Sequence, residues 1–255
     1  MELLIATALA LLGAIVASFV GVIVARLNTG QSFVHGHSKC DACNITLTPL
    51  SLVPVLSFVV MRGRAQCCGA RISPWSPFSE LLLGALFVLA YYSLGLTLTL
   101  VGMCTSLSLL LALVLYDLQH QILPSVLLYP FVVTSAATAS VSAANVVDFS
   151  ETTLVAFVLG MILAAIHFFS RGRAMGLADA PLAFGLALLV GSSAIAGFIF
   201  SFWVGAVVGI GLLASRPRGS RMGVEVPFAP FLACGFLLAY FTQWNPFTLI
   251  NVLIH

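Results

Sequence analysis

The sequence predicts an all-α polytopic membrane protein of about eight transmembrane helices, with one cytoplasmic loop module between the first and second. Three observations carry this expectation. The chain is 61% hydrophobic and 7% charged, with a mean hydropathy of +1.14, whereas a soluble domain carries roughly a quarter charged residues. Its apolar runs approach the ~20 residues that cross a bilayer as a helix. Its basic residues collect in the loops between those runs, as they do in membrane proteins.

Hydropathy places the spans at 3–25, 79–95, 97–117, 125–143, 153–169, 179–191, 194–215 and 227–243. The first run has no basic segment before it, so it reads as a spanning helix and not as a cleaved signal. The sixth is short, and Gly191-Ser192-Ser193 barely separates it from the seventh, so one long kinked span there is an alternative that leaves seven. With eight spans, Arg26, Lys39, Arg62, Arg64, Arg71, Arg171, Arg173, Arg216, Arg218 and Arg221, which are all ten basic residues, fall on one side. Glu2, Asp148 and Glu151 fall on the other. The positive-inside rule makes the basic side cytoplasmic and turns both termini outward. The expected organisation is therefore a first helix over 1–25, a cytoplasmic Cys-containing module over 26–78, and a seven-helix bundle over 79–255. The lipid bilayer is the expected surrounding, and no nucleic-acid partner is expected.

Two acids stand out in this apolar chain, which has only eight Asp and Glu in all. Asp117 closes the run 97–116 and Asp179 opens the run that follows it. A carboxylate at the edge of hydrocarbon is costly, and such residues are functional candidates. The charge-derived topology sets both at the cytoplasmic edge, at one depth. Two neighbouring carboxylates do not easily both ionise, so a pair can act as base and acid together. That suits hydrolysis of a peptide by an activated water. Capping of a helix N-terminus is the competing reading of Asp179, while Asp117 is placed at a helix C-terminus, where the dipole disfavours an anion. Gly176 and Ala178 before the second acid are small enough for a substrate backbone to approach.

Cys40-x-x-Cys43 and the adjacent pair Cys67-Cys68 lie in the 26–78 segment and form a candidate four-thiolate zinc site. His35 and His37 are alternative ligands, and reduced structural thiols are the competing reading. Cys104 and Cys234 are expected to pack within spans. Glu80 is read as a helix-start residue with access to the site as the alternative, Glu225 as a surface charge, His120 as a solvated interface residue, and His167 as a packing histidine.

Taken in order, these segments resemble the bacterial type IV prepilin peptidases, GxGD-type intramembrane aspartic proteases distantly similar to presenilin. The resemblance runs from about residue 17 to 235. It rests on Ser18-Phe19-Val20-Gly21 through Arg26-Leu27, Cys40-x-x-Cys43, Val53-Pro54-x-x-Ser57, Arg62-Gly63-Arg64, Cys68-Gly69-x-x-Ile72-Ser73 and Pro77-x-x-Glu80. It continues through Asp117-Leu118-x-x-x-Ile122-Leu123-Pro124, Gly176-x-x-Asp179 and Val226-Pro227-Phe228-x-Pro230-Phe231. The resemblance implies an aspartic endopeptidase with Asp117 and Asp179 as catalytic residues in a core at about 97–215. Its substrates would be prepilins or secretion pseudopilins, cut behind a short basic leader at the inner face of the bacterial cytoplasmic membrane. The peptidase step needs no cofactor. Many members also methylate the new N-terminus with S-adenosylmethionine. The chain departs from the pattern in several places. Ala178 stands for the second glycine of GxGD, Pro181 for a lysine, and Ser125 for an acid. Asn28 and Ser51 replace other usual residues. Ala65 stands where the first cysteine of the second pair belongs, with Cys67 two residues later. These departures leave open a catalytically silent relative that binds pilins as an assembly factor. A proton-coupled transporter using the two acids is a third reading, though such proteins usually carry their acids nearer the midplane.

Overall fold

The computed structural model describes residues 1–29, 42–43, 45–46, 58, 60–173, 175–215 and 226–246. Among them the named elements are helices, and Arg64 and Arg71 form an isolated antiparallel bridge. The helices are α1 (Glu2–Arg26), α2 (Trp75–Leu94), α3 (Leu98–His120), α4 (Ser125–Ser142), α5 (Val146–Ser170), α6 (Asp179–Val190), α7 (Ala194–Ser215) and α8 (Ala229–Thr242), with a 3₁₀ turn over Gly191–Ser193 joining α6 to α7. The chain divides into two compact units, Met1–Leu100 and Val101–His255.

The chain is a multi-pass membrane protein, as its composition predicts. Among the described residues six segments are long and apolar enough to span. The difference from eight lies in two places. Asp179–Leu212 counts as one stretch of 34 residues, although a continuous helix of that length would measure roughly 50 Å, well beyond a ~30 Å hydrocarbon core. Gly191, at φ 58° and ψ −122°, breaks it into α6 and α7, a conformation that residues with a Cβ rarely adopt. The other is α8, whose 14 residues fall short of a crossing. Three boundaries also move. α2 begins at Trp75, α5 at Val146, and α3 continues to His120, so Asp117 sits within its last turn and not at its end. Asn145 starts α5 by accepting the Asp148 amide at 2.9 Å, a side-chain N-cap that hydropathy does not register.

In the first unit α1 packs on α2. The buried positions of α1 are Ala6, Gly13, Ala17, Val20 and Val24, a narrow stripe of mostly small residues. At its middle the backbones nearly touch: a Cβ on Gly13 would lie 2.8 Å from the Gly84 Cα. Close approach through small residues is how helices associate in lipid, where the apolar effect between them is weak. The rest of α1 presents Leu3, Leu4, Leu11, Ile15 and Phe19 outward, as a lipid-facing helix should.

The second unit is built around α6. Ten of its twelve residues are buried, because α4, α5, α7 and α8 all pack against it. Hydropathy treats this segment as a marginal span; the structure makes it the core helix. Glycines set the distances. A Cβ on Gly160 of α5 would stand 3.2 Å from the Ala180 carbonyl, and one on Gly185 would stand 2.7 Å from the Phe131 ring of α4. Elsewhere Gly235 of α8 lies against Ser201 of α7, whose hydroxyl donates to the Gly197 carbonyl at 2.8 Å. Ser106 donates to Thr134 at 3.1 Å across α3 and α4.

Candidate active site

Asp117 and Asp179 are neighbours in the second unit. Asp117 arrives on the last turn of α3, which ends when Gln121 enters the left-handed region at φ 55° and its amide closes on the Asp117 carbonyl at 2.8 Å. Asp179 is the first residue of α6. Both side chains are nearly closed to solvent, at 5% and 7% exposure, and they stand close enough for their charges to interact. A buried carboxylate requires hydrogen-bond partners, and each has a backbone amide. Ala229 N–H donates to Asp117 Oδ2 at 3.3 Å. Gly176 N–H donates to Asp179 Oδ2 at 3.1 Å.

The two contacts explain how the acids are tolerated. Ala229 is the first residue of α8, so the Asp117 carboxylate faces the positive end of that helix. This offsets the unfavourable dipole of its own α3. Asp179 does not cap α6, for the helix has no side-chain cap; its carboxylate reaches back to the preceding loop instead. The capping reading of Asp179 is therefore replaced by a contact that presents the acid. Pro181 occupies the first turn of α6, where a missing N–H costs little.

The GxGD-like loop resolves into two unequal positions. Ala178 adopts φ −69° and ψ −16°, ordinary right-handed backbone that any residue takes, so its methyl introduces no strain. At Gly176 a Cβ would stand 3.3 Å from Asp179 Oδ2. Gly176→Ala is therefore expected to displace the carboxylate and lower turnover roughly 10-fold, and Ala178→Gly to change it far less. Single-turnover kinetics on both variants measures the difference.

His120 and Glu80 have partners of their own. His120 lies against the Tyr116 ring, with centroids 4.4 Å apart. Glu80 is buried within α2, at 5% exposure, and accepts from Ser76 Oγ at 3.5 Å; it is a sixth-position helix residue and not a start cap. Cys104 lies half-buried in α3, whereas Cys234 is exposed on α8 and does not pack as expected. Glu225, His35, His37 and Cys40 lie outside the described residues. Sequence reasoning missed Ala229, whose amide is invisible to residue type. The signal was present in Pro227-Phe228-Ala229-Pro230, since proline in the first turn marks a helix start.

Cys43, Cys67 and Cys68 form a second cluster, with sulfurs all within 4.8 Å of one another. Cys43 and Cys67 are 3.1 Å apart and Cys67 and Cys68 3.8 Å. Tetrahedral zinc with thiolate ligands separates its sulfurs by about 3.8 Å. Three soft donors at this spacing fit such an ion, and the adjacency of Cys67 and Cys68 does not prevent both from joining.

The profile of the type IV leader peptidase family matches residues 104–212, and that of the bacterial peptidase A24 N-terminal domain matches residues 11–94. A prepilin leader peptidase/N-methyltransferase of Bacillus subtilis is 30% identical over 229 residues, covering 89% of this chain and 90% of that protein. The chain belongs to the type IV leader peptidase family. Proteins of the same name from Dickeya chrysanthemi and Myxococcus xanthus are 27% and 38% identical. The first match covers 93% of this chain and 94% of the relative, the second 53% and 41%. No solved structure matches the chain. The leader peptidase match over 104–212 includes both aspartates but stops short of Ala229, which holds one of them.

Proposed function

We propose that this chain is a membrane aspartic endopeptidase that removes the basic leader from type IV prepilins or pseudopilins, with Asp117 and Asp179 as its catalytic pair. The observation that carries the reading is two buried carboxylates in one site, each accepting from a backbone amide, with no ion pair to a cation at either among the described residues. One carboxylate takes a proton from water as its oxygen bonds to the scissile carbonyl carbon. The other, protonated, gives its proton to the leaving nitrogen as the C–N bond breaks. The two acids exchange roles and are restored by one proton transfer.

The placement of all ten basic residues supports an active site at the cytoplasmic face of the inner membrane; both termini lie outside if α8, short as it is, completes the last crossing. The catalytic core extends beyond 97–215, because α8 supplies the donor to Asp117. Cys43, Cys67 and Cys68, with Cys40 as the expected fourth ligand, would hold a structural zinc. A bound zinc would cross-link the turn around 60–73 and takes no part in hydrolysis. Metal analysis of the purified protein is expected to find about one zinc per chain, lost in Cys67→Ser; a zinc content insensitive to that change would remove zinc from the reading. Methyl transfer to the new amine is supported by the two-part name of the relatives, and S-adenosylmethionine is the donor that the family resemblance implies.

The test is expression with a prepilin in a strain lacking its own peptidase, with mass spectrometry of the product. Loss of the leader is the expected result, and an added methyl on the N-terminal amine reports the second step. A bound but uncut precursor would instead support the assembly-factor reading.

A further inference from the structure

We propose that His167 is a positioning residue for Asp179, acting through the peptide bond between Met175 and Gly176. The inference rests on the reading of Asp179 as catalytic and goes one step beyond it. His167 lies in the last turn of α5, and its Nδ1 is 2.8 Å from the Met175 carbonyl oxygen. A carbonyl oxygen can only accept, so Nδ1 carries the proton and donates. The other end of the same amide is the Gly176 N–H, which donates to Asp179 Oδ2 at 3.1 Å. The imidazole, the peptide plane and the carboxylate thus form one chain of hydrogen bonds. Donation to the carbonyl draws electron density toward oxygen and strengthens the N–H as a donor, a cooperative effect of about 10–30% per bond.

Gly172 and Met175 of the loop between α5 and α6 both lie at this ring. Arg171 and Gly172 both adopt left-handed backbone, at φ 54° and 75°. The Gly172 amide donates to the His167 carbonyl at 2.9 Å. A Cβ on Gly172 would stand 3.3 Å from the ring carbon Cε1. His167 therefore holds the loop by main chain and side chain together. The ring sets where the Met175–Gly176 peptide lies, and that peptide sets where the Asp179 carboxylate points. Sequence position alone makes His167 an ordinary packing histidine; the shared peptide gives it a link to the chemistry.

The experiment compares four substitutions in the full-length protein, purified in detergent and assayed on a recombinant prepilin with a basic leader. Asn places an N–H close to the position of Nδ1, whereas Gln places one nearer Nε2. His167→Leu and His167→Gln are expected to lower kcat about 10-fold with KM changed by less than about twofold. His167→Asn is expected to recover most of the lost rate. Wild-type kcat in His167→Leu overturns the inference. So do equal rates in the Asn and Gln variants, which decide the matter even where the Leu variant fails to insert. Asp179→Asn is the fourth. Full cleavage by Asp179→Asn would defeat the catalytic reading itself, whereas an inactive Asp179→Asn beside a fully active His167→Leu defeats only the role of the histidine.

Discussion

Asp117→Asn and Asp179→Asn are each expected to slow leader cleavage by about 10⁴-fold, with the protein still inserted and folded. Asparagine matches aspartate in size, and its oxygen can keep the bond from the Ala229 or Gly176 amide. What it loses is the ability to take or give a proton at the reacting atoms. The double variant is expected to be no slower than either single one, because two groups that act as one unit lose their function together. Quantitative cleavage assays on purified single and double variants measure this. Cleavage surviving both single changes would sink the dyad and with it the peptidase assignment of these residues.

Replacing the backbone amide of residue 229 by an ester, Ala229→lactic acid, is expected to lower kcat by about 10–100-fold. The change removes one hydrogen atom donor from a buried site and adds no bulk, which matters because Ala229 is completely buried. A hydrogen bond to a charged group is worth about 1.5–3 kcal/mol, and here the acceptor is an acid that must be correctly aimed. Ala229→Gly retains the amide and is expected to retain most of the rate. Proline at 229 is a poorer probe, since it also restricts Phe228, now at φ −92° and ψ −24°. Equal rates for the ester and the parent protein would show that α8 does not serve Asp117.

Much of this site was legible in the sequence, for a physical reason. Carboxylates are so costly beside hydrocarbon that Asp117 and Asp179 stand out in a chain with eight acids. The cysteine cluster was legible for a similar reason: its members all carry soft donors, and the fold brings Cys43, Cys67 and Cys68 together, while Cys40 lies outside the described residues. The helix count was less legible. Hydropathy measures how apolar a segment is and not what surrounds it, so α6, buried on nearly every side by its neighbours, looks like a short span. The weight given to Ala178 also shifts: its backbone is ordinary, and Gly176 is the position where a side chain would press on the acid.

By itself the sequence determined that this chain lives in a membrane, which family it resembles, and which two acids merit attention. Those properties reside in side-chain chemistry and in the order of motifs. Only the tertiary structure decided what holds the acids in place. The partners are main-chain amides, which every residue but proline carries, so residue type cannot announce them. Ala229 reaches Asp117 across 112 positions of chain, and His167 reaches Asp179 through a peptide bond of the intervening loop. Such contacts exist only once α3, α5, α6 and α8 have packed, because their geometry is set by the approach of whole helices and not by any local pattern.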